Sequence, residues 1–277
     1  MGESIKRIVG TYQDSYSPNG IIGEKDACGV GFIANIKGIE SNWILKQSLK
    51  GLNCMEHRGG CGGDSDSGDG AGILCSIPWK YLDEKMNLKY EKDFNRGLGM
   101  IFMPNKKEKI EKCKSICDQE AEKLKIYSTS WRTVPVNNEI LGPLAKANAP
   151  FISQWILNID KKDNQDIERL LFQLRKRIEK KIRETLKNHV GDCEFYFASL
   201  SSQTVVYKGM VRSEILSEFY QDLKEDSFKV SFSVYHRRFS TNTLPKWPLA
   251  QPMRFLGHNG EINTLLGNIN WAKASET

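Results

Sequence analysis

The sequence predicts an α+β fold built from layered, largely antiparallel sheets. Segments with strand character come in adjacent groups, and long amphipathic helical segments separate these groups. Strict alternation of strand and helix, which would favour a parallel sheet, is absent, and no internal repeat is present. The chain has 277 residues, of which 39% are hydrophobic and 27% charged. It is long enough to bury one large core or two small ones.

The strands are predicted from short apolar runs and from alternation of apolar and polar residues. In the last of them, Phe228, Val230, Phe232 and Val234 share one face, because side chains two apart on a strand point the same way. The predicted strands cover residues 28–35, 73–77, 97–103, 151–159, 195–201, 205–211 and 228–235.

Four helices are predicted from apolar residues spaced at three and four positions. The strongest covers residues 163–187, with Asp163 as its N-cap and Gly191 as the residue that stops it. The apolar stripe of this helix is formed by Ile167, Leu170, Leu171, Leu174, Ile178, Ile182 and Leu186. The other predicted helices cover residues 43–56, 106–125 and 262–273.

A glycine- and aspartate-rich loop joins the first helix to the second strand, over residues 57–72. Its acidic run suggests calcium, but the spacing does not fit an EF-hand. Counted from Asp64, the fifth residue is Gly68 and the twelfth is Cys75, where oxygen ligands are required. We therefore interpret the segment as a structural or substrate-lining loop.

Charge and cysteine content exclude several classes of protein. The formal net charge is +6, from 40 basic and 34 acidic residues, and the excess lies in lysine-rich stretches typical of solvated helix faces. No basic and aromatic platform accompanies them, so nucleic-acid binding is not predicted. No apolar run reaches the ~18 residues of a transmembrane helix, and residues 1–27 lack the apolar core of a secretory signal. Seven cysteines, an odd number, fit a reducing compartment.

Cys28 is the strongest candidate for a nucleophile. A lone cysteine is more often a buried core residue, but here Ala27 is small enough to permit cleavage and Gly29 leaves backbone room. Residues 1–27 are polar and interrupted by proline and glycine, as expected of a cleavable leader. An α-amine exposed by cleavage has a pKa of about 7.7–8. It can therefore accept the thiol proton near neutral pH and generate the reactive thiolate.

Two downstream segments supply candidate binding groups. Arg237 and Arg238 follow a predicted strand, where a guanidinium could clamp a carboxylate or form an ordinary surface ion pair. Asn259 and Gly260 could direct a side-chain amide and a backbone N–H at a developing oxyanion, or form a simple turn. Both interpretations of each pair remain open on spacing alone.

Cys113 and Cys117 lie four residues apart in a predicted helix. A metal site would need a second pair of Cys or His at ligand spacing, and none is present. We interpret them as helix-face residues and predict no metal site.

Six ordered motifs resemble the amino-terminal glutaminase domain of the glutamate synthase family. The resemblance runs from about residue 21 to the C-terminus, with residues 105–190 carried by position only. The motifs that carry it are residues 26–32 (DACGVGF), 55–60 (MEHRGG), 67–72 (SGDGAG), 235–243 (YHRRFSTNT), 247–252 (WPLAQP) and 257–263 (GHNGEIN).

The resemblance implies a class II glutamine amidotransferase with the fold of N-terminal nucleophile hydrolases, a four-layer αββα sandwich. It implies a propeptide over residues 1–27 and an amidotransferase domain over residues 28–277 that is incomplete, because the family's domain continues past Thr277 to an Asp that binds the substrate amino group. By motif, Cys28 forms a γ-glutamyl thioester and releases ammonia, and Arg238 grips the α-carboxylate of L-glutamine. Thr241 belongs to the same binding segment, and Asn259 and Gly260 form the oxyanion hole.

Residues 56–61 and 77–79 look more like the ferredoxin-dependent type than the NAD(P)H-dependent type of this family. For the full-length enzyme this implies ferredoxin as electron donor, with FMN and an iron–sulfur cluster, although no cofactor is expected in this segment. It also implies a plastid stroma, with a plastid gene, or a bacterial cytoplasm. The alternatives are the NAD(P)H-dependent type, another class II amidotransferase acting on phosphoribosylpyrophosphate or glucosamine phosphate, and a non-catalytic module in which Cys28 is a core residue.

Overall fold

The computed structural model describes residues 29–55, 64, 66–89, 93–160, 162–186, 195–237, 246–254 and 265–275. The described strands form two antiparallel sheets, so the predicted α+β fold with antiparallel sheets is confirmed. The strands are β1 (Val30–Ala34), β2 (Ala71–Ser76), β3 (Phe94–Met103), β4 (Ile126–Thr133), β5 (Phe151–Asp160), β6 (Tyr196–Ser201), β7 (Thr204–Gly209) and β8 (Phe232–Arg237).

Helices connect these strands, together with short 3₁₀ turns. The α-helices are α1 (Asn42–Cys54), α2 (Trp79–Met86), α3 (Lys107–Lys123), α4 (Pro143–Ala147), α5 (Asn164–Leu186), α6 (Leu216–Phe219) and α7 (Leu265–Ser275). The 3₁₀ turns are Asn138–Ile140, Ser213–Ile215, Gln221–Lys224 and Trp247–Leu249. None of the helices within the described ranges has both the length and the apolar character needed to cross a bilayer.

The first sheet has the strand order β1-β8-β2-β7 and the second the order β4-β5-β3-β6. Side chains from both sheets, such as Leu74 and Val206 from the first and Met100 and Ile156 from the second, belong to one continuous core. A second core lies between the second sheet and the helices α3 and α5. Helix α1 packs on β8 and β1 of the first sheet. This arrangement agrees with the predicted αββα sandwich.

Helix α5 shows why the strongest prediction was right. The side chain of Asp163 accepts a hydrogen bond from the backbone N–H of Asp166 (2.9 Å), as an N-cap does. Five residues of the predicted stripe are buried in the second core: Ile167, Leu171, Leu174, Ile178 and Ile182.

The structure also corrects the predicted elements. Neither β4 nor α2 was predicted, and β8 begins at Phe232, not at residue 228. Val230 forms only an isolated bridge with Ser41, and Phe228 packs against the ring of Tyr81. Their alternating pattern therefore reflects burial in the core and not a continuous strand.

Cys113 and Cys117 are buried on the face of α3 that packs in the second core. Burial raises the pKa of the Cys113 thiol to about 12, and that of Cys117 well above its ordinary value. Both thiols are therefore protonated at neutral pH, as core residues of a helix face.

Candidate functional site

One end of the first sheet is formed by the ends of all four of its strands. There β1 and β2 begin while β8 and β7 finish, since neighbouring strands are antiparallel. The backbone carbonyl of Gly29 accepts a hydrogen bond from the backbone N–H of Arg237 (2.7 Å), which extends the pairing of β1 with β8 by one position. Across β2, Ala71 pairs with Arg237 on one side and with Gly209 on the other.

The predicted site residues Cys28, Arg238, Thr241, Asn259 and Gly260 lie outside the described residues. So do the proposed leader, residues 1–27, and the start of the glycine-rich loop. Two of the predicted residues are nonetheless sequence neighbours of described ones that pair at this sheet end. Cys28 precedes Gly29 and Arg238 follows Arg237.

Arg237 itself is a structural residue. Its side chain is 5% exposed, and its guanidinium donates a hydrogen bond to the hydroxyl of Ser213 and lies 3.7 Å from a carboxylate oxygen of Glu214. Partial burial alone would raise the pKa of Glu214, but hydrogen bonds from its own backbone amide and from Ser213, with the charges of Arg237 and Arg212, lower it overall. The described contacts of Arg237 are those of the ion-pair alternative, although its guanidinium is buried and not at the surface.

The acidic loop has a structural role in its described part. One carboxylate oxygen of Asp64 accepts hydrogen bonds from the Ser67 hydroxyl (2.7 Å) and the backbone N–H of Leu144 (2.8 Å). The Ser67 hydroxyl in turn accepts one from the backbone N–H of Ala145 (2.9 Å). These bonds satisfy free amides in the first turn of α4. Because the same bonds stabilise the charged form, they lower the pKa of Asp64 to about 2.

The segment 246–254 packs closely against the first sheet, and we call it the capping segment. A Cβ atom on Gly209 would lie 2.3 Å from the ring of Trp247, so only glycine permits this contact with β7. A Cβ atom on Gly72 would likewise lie 2.7 Å from the backbone oxygen of Gln251. The indole of Trp247 is buried and donates a hydrogen bond to the carbonyl of Ala145 (3.1 Å). The capping segment thereby connects β2 and β7 with helix α4.

Lys208 of β7 is fully buried beside the capping segment. Its amine donates hydrogen bonds to the carbonyl of Pro248 (2.9 Å) and the hydroxyl of Tyr196 (3.2 Å), and lies 3.6 Å from the sulfur of Met253. Burial, with a smaller contribution from the charge of Arg254, lowers the pKa of Lys208 to about 7. At neutral pH a large fraction of this amine is therefore uncharged.

Sequence reasoning did not identify Lys208 or the capping role of Asp64. Lys208 occupies a strand pattern in which a lysine ordinarily reaches solvent, and its burial depends on a segment forty residues later in the chain. For Asp64, the nearby Ser67 was a usable signal, because Asp with Ser three positions on is typical of local side-chain hydrogen bonds.

Two comparisons with known proteins bear on this site. Residues 28–277 match the family model described as "Glutamine amidotransferases class-II". The chain is 48% identical over 262 residues to a chloroplastic ferredoxin-dependent glutamate synthase of Oryza sativa, and 48% identical over 260 residues to ferredoxin-dependent glutamate synthase 2 of Synechocystis. It is 45% identical over 274 residues to a ferredoxin-dependent glutamate synthase of Pyropia yezoensis.

These alignments cover 92–98% of the chain but only 16–18% of each relative. The chain thus spans less than a fifth of the length of the relatives it matches.

Proposed function

Because the chain belongs to the class II glutamine amidotransferases, we propose that it hydrolyses L-glutamine as the glutaminase part of a ferredoxin-dependent glutamate synthase. The observation that carries the proposal is the family match, which begins at Cys28 and continues to the last residue. The identity of 45–48% to synthases of plants, algae and cyanobacteria supports the type of enzyme. It also favours the synthase over the phosphoribosylpyrophosphate and glucosamine-phosphate amidotransferases.

The sheet geometry supports a shared pocket for the nucleophile and the substrate clamp. Gly29 and Arg237 are joined by a backbone hydrogen bond, and each is adjacent in sequence to one of the two proposed site residues. Since the guanidinium of Arg237 already contacts Ser213 and Glu214, we assign the α-carboxylate of glutamine to Arg238. We place Thr241 in the same binding segment.

The proposed chemistry proceeds through a covalent thioester. The α-amine of Cys28, freed by removal of residues 1–27, takes the thiol proton, and the thiolate attacks the side-chain amide carbon of glutamine. The oxyanion that forms accepts hydrogen bonds from the side-chain amide of Asn259 and the backbone N–H of Gly260. Collapse of this intermediate breaks the C–N bond, and the α-ammonium returns its proton to the departing ammonia. Water then attacks the thioester carbon with the amine again as base, the C–S bond breaks, and glutamate leaves as the α-ammonium returns its proton to the Cys28 thiolate.

In the full-length enzyme, the ammonia would be transferred to 2-oxoglutarate with electrons from ferredoxin. FMN and an iron–sulfur cluster, expected from the family resemblance, would supply the redox chemistry there. The residues described here do not fit such a cluster, because Cys75, Cys113 and Cys117 are buried and no three ligand-type side chains converge. As the family resemblance implies, we propose that both groups belong to the remainder of a full-length synthase, and the glutaminase steps given above use only residues of this chain. The rice relative is named chloroplastic and another is cyanobacterial, which supports a plastid stroma or a bacterial cytoplasm.

The decisive experiment is the substitution Cys28→Ala in the full-length protein. We expect loss of glutamine-dependent glutamate formation, because the nucleophile is gone, while ammonia-dependent formation continues. The matched control is Cys54→Ala, which removes an exposed thiol from the end of α1. We expect this variant to retain both activities. Glutamine-dependent activity in the Cys28→Ala variant would refute the assignment of the nucleophile.

Intact mass after treatment with a diazoketone analogue of glutamine tests the processing step. We expect a mass that lacks residues 1–27 and carries one adduct on Cys28. An adduct on a chain that retains its leader would instead mean that the base is not the α-amine.

A further inference from the structure

We propose that Lys208 is a positioning residue for the glutaminase reaction, and that its buried amine holds the capping segment in the place catalysis requires. This inference rests on the proposed function. It concerns a side chain that neither the family motifs nor the family match assigns a role.

The first step is that the Lys208 amine lies in the interior of the protein. Lys208 is fully buried, and among the described residues no carboxylate contributes to its electrostatic environment. An unpaired amine costs free energy when it is removed from water, so a lysine at such a position needs a compensating role. An apolar side chain of similar length, such as methionine, would fill the same space without that cost.

The second step is that its hydrogen bond ties two distant parts of the chain together. The carbonyl of Pro248 accepts from the Lys208 amine, so the backbone of the capping segment is fastened to β7. Two further bonds hold the same segment: Trp247 to Ala145, and the Arg254 guanidinium to the carbonyl of Phe197 (2.7 Å). Lys208 provides the attachment that lies between these two.

The third step connects the attachment of the capping segment by Lys208 with the chemistry. The capping segment ends at residue 254, five positions before Asn259 in the sequence, so its placement sets where the chain enters the proposed oxyanion-hole segment. The proposed clamp, Arg238, follows a different element, β8. Displacement of the capping segment should therefore weaken transition-state stabilisation more than binding of glutamine. Displacements of about 1 Å can reduce rates by about 10²-fold.

Charged and titratable groups on several elements lie near the amine or act on its hydrogen-bond partner Tyr196. Tyr196 comes from β6 and Arg254 from the capping segment itself. Arg175 and Glu179 of α5 form an ion pair that acts on Tyr196. Gly72, which faces Lys208 from β2, brings no charge.

The test compares Lys208→Met and Lys208→Arg with wild type in the full-length protein, using ammonia release from glutamine. For the Met variant we expect kcat to fall at least about tenfold, while KM for glutamine changes less than about threefold. The Arg variant keeps a donor for the Pro248 carbonyl, so we expect its kcat to exceed that of the Met variant, while burial of its permanent charge lowers its melting temperature. Lys229→Met, which alters an exposed lysine, is the matched control and should behave as wild type.

The outcomes separate this inference from the proposed function. If Cys28→Ala is inactive and Lys208→Met has kcat within twofold of wild type, the role of Lys208 is overturned and the glutaminase assignment stands. A fall in kcat together with a rise in KM of similar size, with a lowered melting temperature, would also overturn it. That result would indicate a merely structural lysine. If the Met variant does not fold, Lys208→Gln is subjected to the same comparison of kcat and KM. If Cys28→Ala remains active, the proposed function fails first.

Discussion

At the scale of single residues, burial and hydrogen bonds set the ionisation of polar side chains near the end of the first sheet where β1 and β2 begin. Asp64 and Lys208 illustrate the two directions. Hydrogen bonds to its carboxylate lower the pKa of Asp64 to about 2, whereas loss of water lowers that of Lys208 to about 7. The pKa of Asp64 falls because hydrogen bonds stabilise its negative charge, whereas the pKa of Lys208 falls because burial destabilises its positive charge.

The shift at Lys208 predicts a distinct pH dependence of stability. The unfolded chain keeps the lysine protonated up to about pH 10.4, while the folded protein releases the proton near pH 7. Between these values the unfolded state binds more protons, so raising the pH stabilises the folded state. Below pH 7 both states are protonated and the full cost of burying the charge remains.

We therefore compare wild type with Lys208→Met by urea unfolding from pH 7.5 to 9.5. The free energy of unfolding of wild type should rise, relative to that of the variant, by roughly 1.4 kcal/mol per pH unit. Other titrating groups are common to both proteins, so they cancel in the difference. A difference that stays constant over these two pH units would mean that Lys208 is hydrated or paired in the folded protein.

At the scale of elements, the sequence predicted what local periodicity determines. The α5 stripe and its cap were correct, because both signals lie within the helix itself. Strand β4 and helix α2 escaped prediction because their sequences mix polar and apolar residues without a clear period, and their burial comes from partners far along the chain. The start of β8 was placed four residues early for a related reason: burial of Phe228 in the core imitates strand alternation.

The residues of the candidate site were predicted from sequence motifs and not from periodicity. Cys28, Arg238, Asn259 and Gly260 were identified by motif, and their contacts remain predictions because these residues lie outside the described ranges. Of the described contacts, an ion pair for Arg237 was one of two interpretations that the sequence left open, whereas the packing of the capping segment was not predicted. It depends on long-range contacts such as Lys208 with Pro248, for which no local signal exists.

The cap of α5 gives a prediction at this scale. Asp163→Ala should lower the free energy of unfolding by about 1 kcal/mol, because the backbone N–H of Asp166 loses its acceptor. Asp163→Asn is the matched control, since asparagine caps about as well as aspartate. Urea unfolding at pH 7 measures both. Equal losses in the two variants would indicate that the charge of Asp163, and not its hydrogen bond, stabilises the helix.

At the scale of the whole molecule, a buried polar cluster joins the two sheets. We call it the Asp222 cluster; it comprises Asp222, Tyr81, Arg132, Gln154 and Tyr207. Tyr207 lies in the first sheet, Arg132 and Gln154 in the second, and Tyr81 on α2. Arg132 binds both oxygens of Asp222 at 2.7 Å, and each oxygen also accepts a tyrosine hydroxyl, at 2.8 and 3.0 Å. The Gln154 amide bonds to both Arg132 and Tyr207.

Because Asp222 accepts hydrogen bonds from Arg132 of the second sheet and Tyr207 of the first, the Asp222 cluster ties one sheet to the other. Asp222→Asn removes the negative charge while leaving Arg132 buried, with its side chain only 12% exposed. We expect a loss of about 3–5 kcal/mol in the free energy of unfolding, the range for breaking a buried pair on one side. The matched control is Asp226→Asn, whose carboxylate is 86% exposed and pairs with Lys46 at the surface. It should leave the free energy of unfolding close to that of wild type, because solvent screens an exposed ion pair. Chemical denaturation of both variants measures the two values, and a similar small loss in each would show that the two sheets are held together by apolar contacts alone.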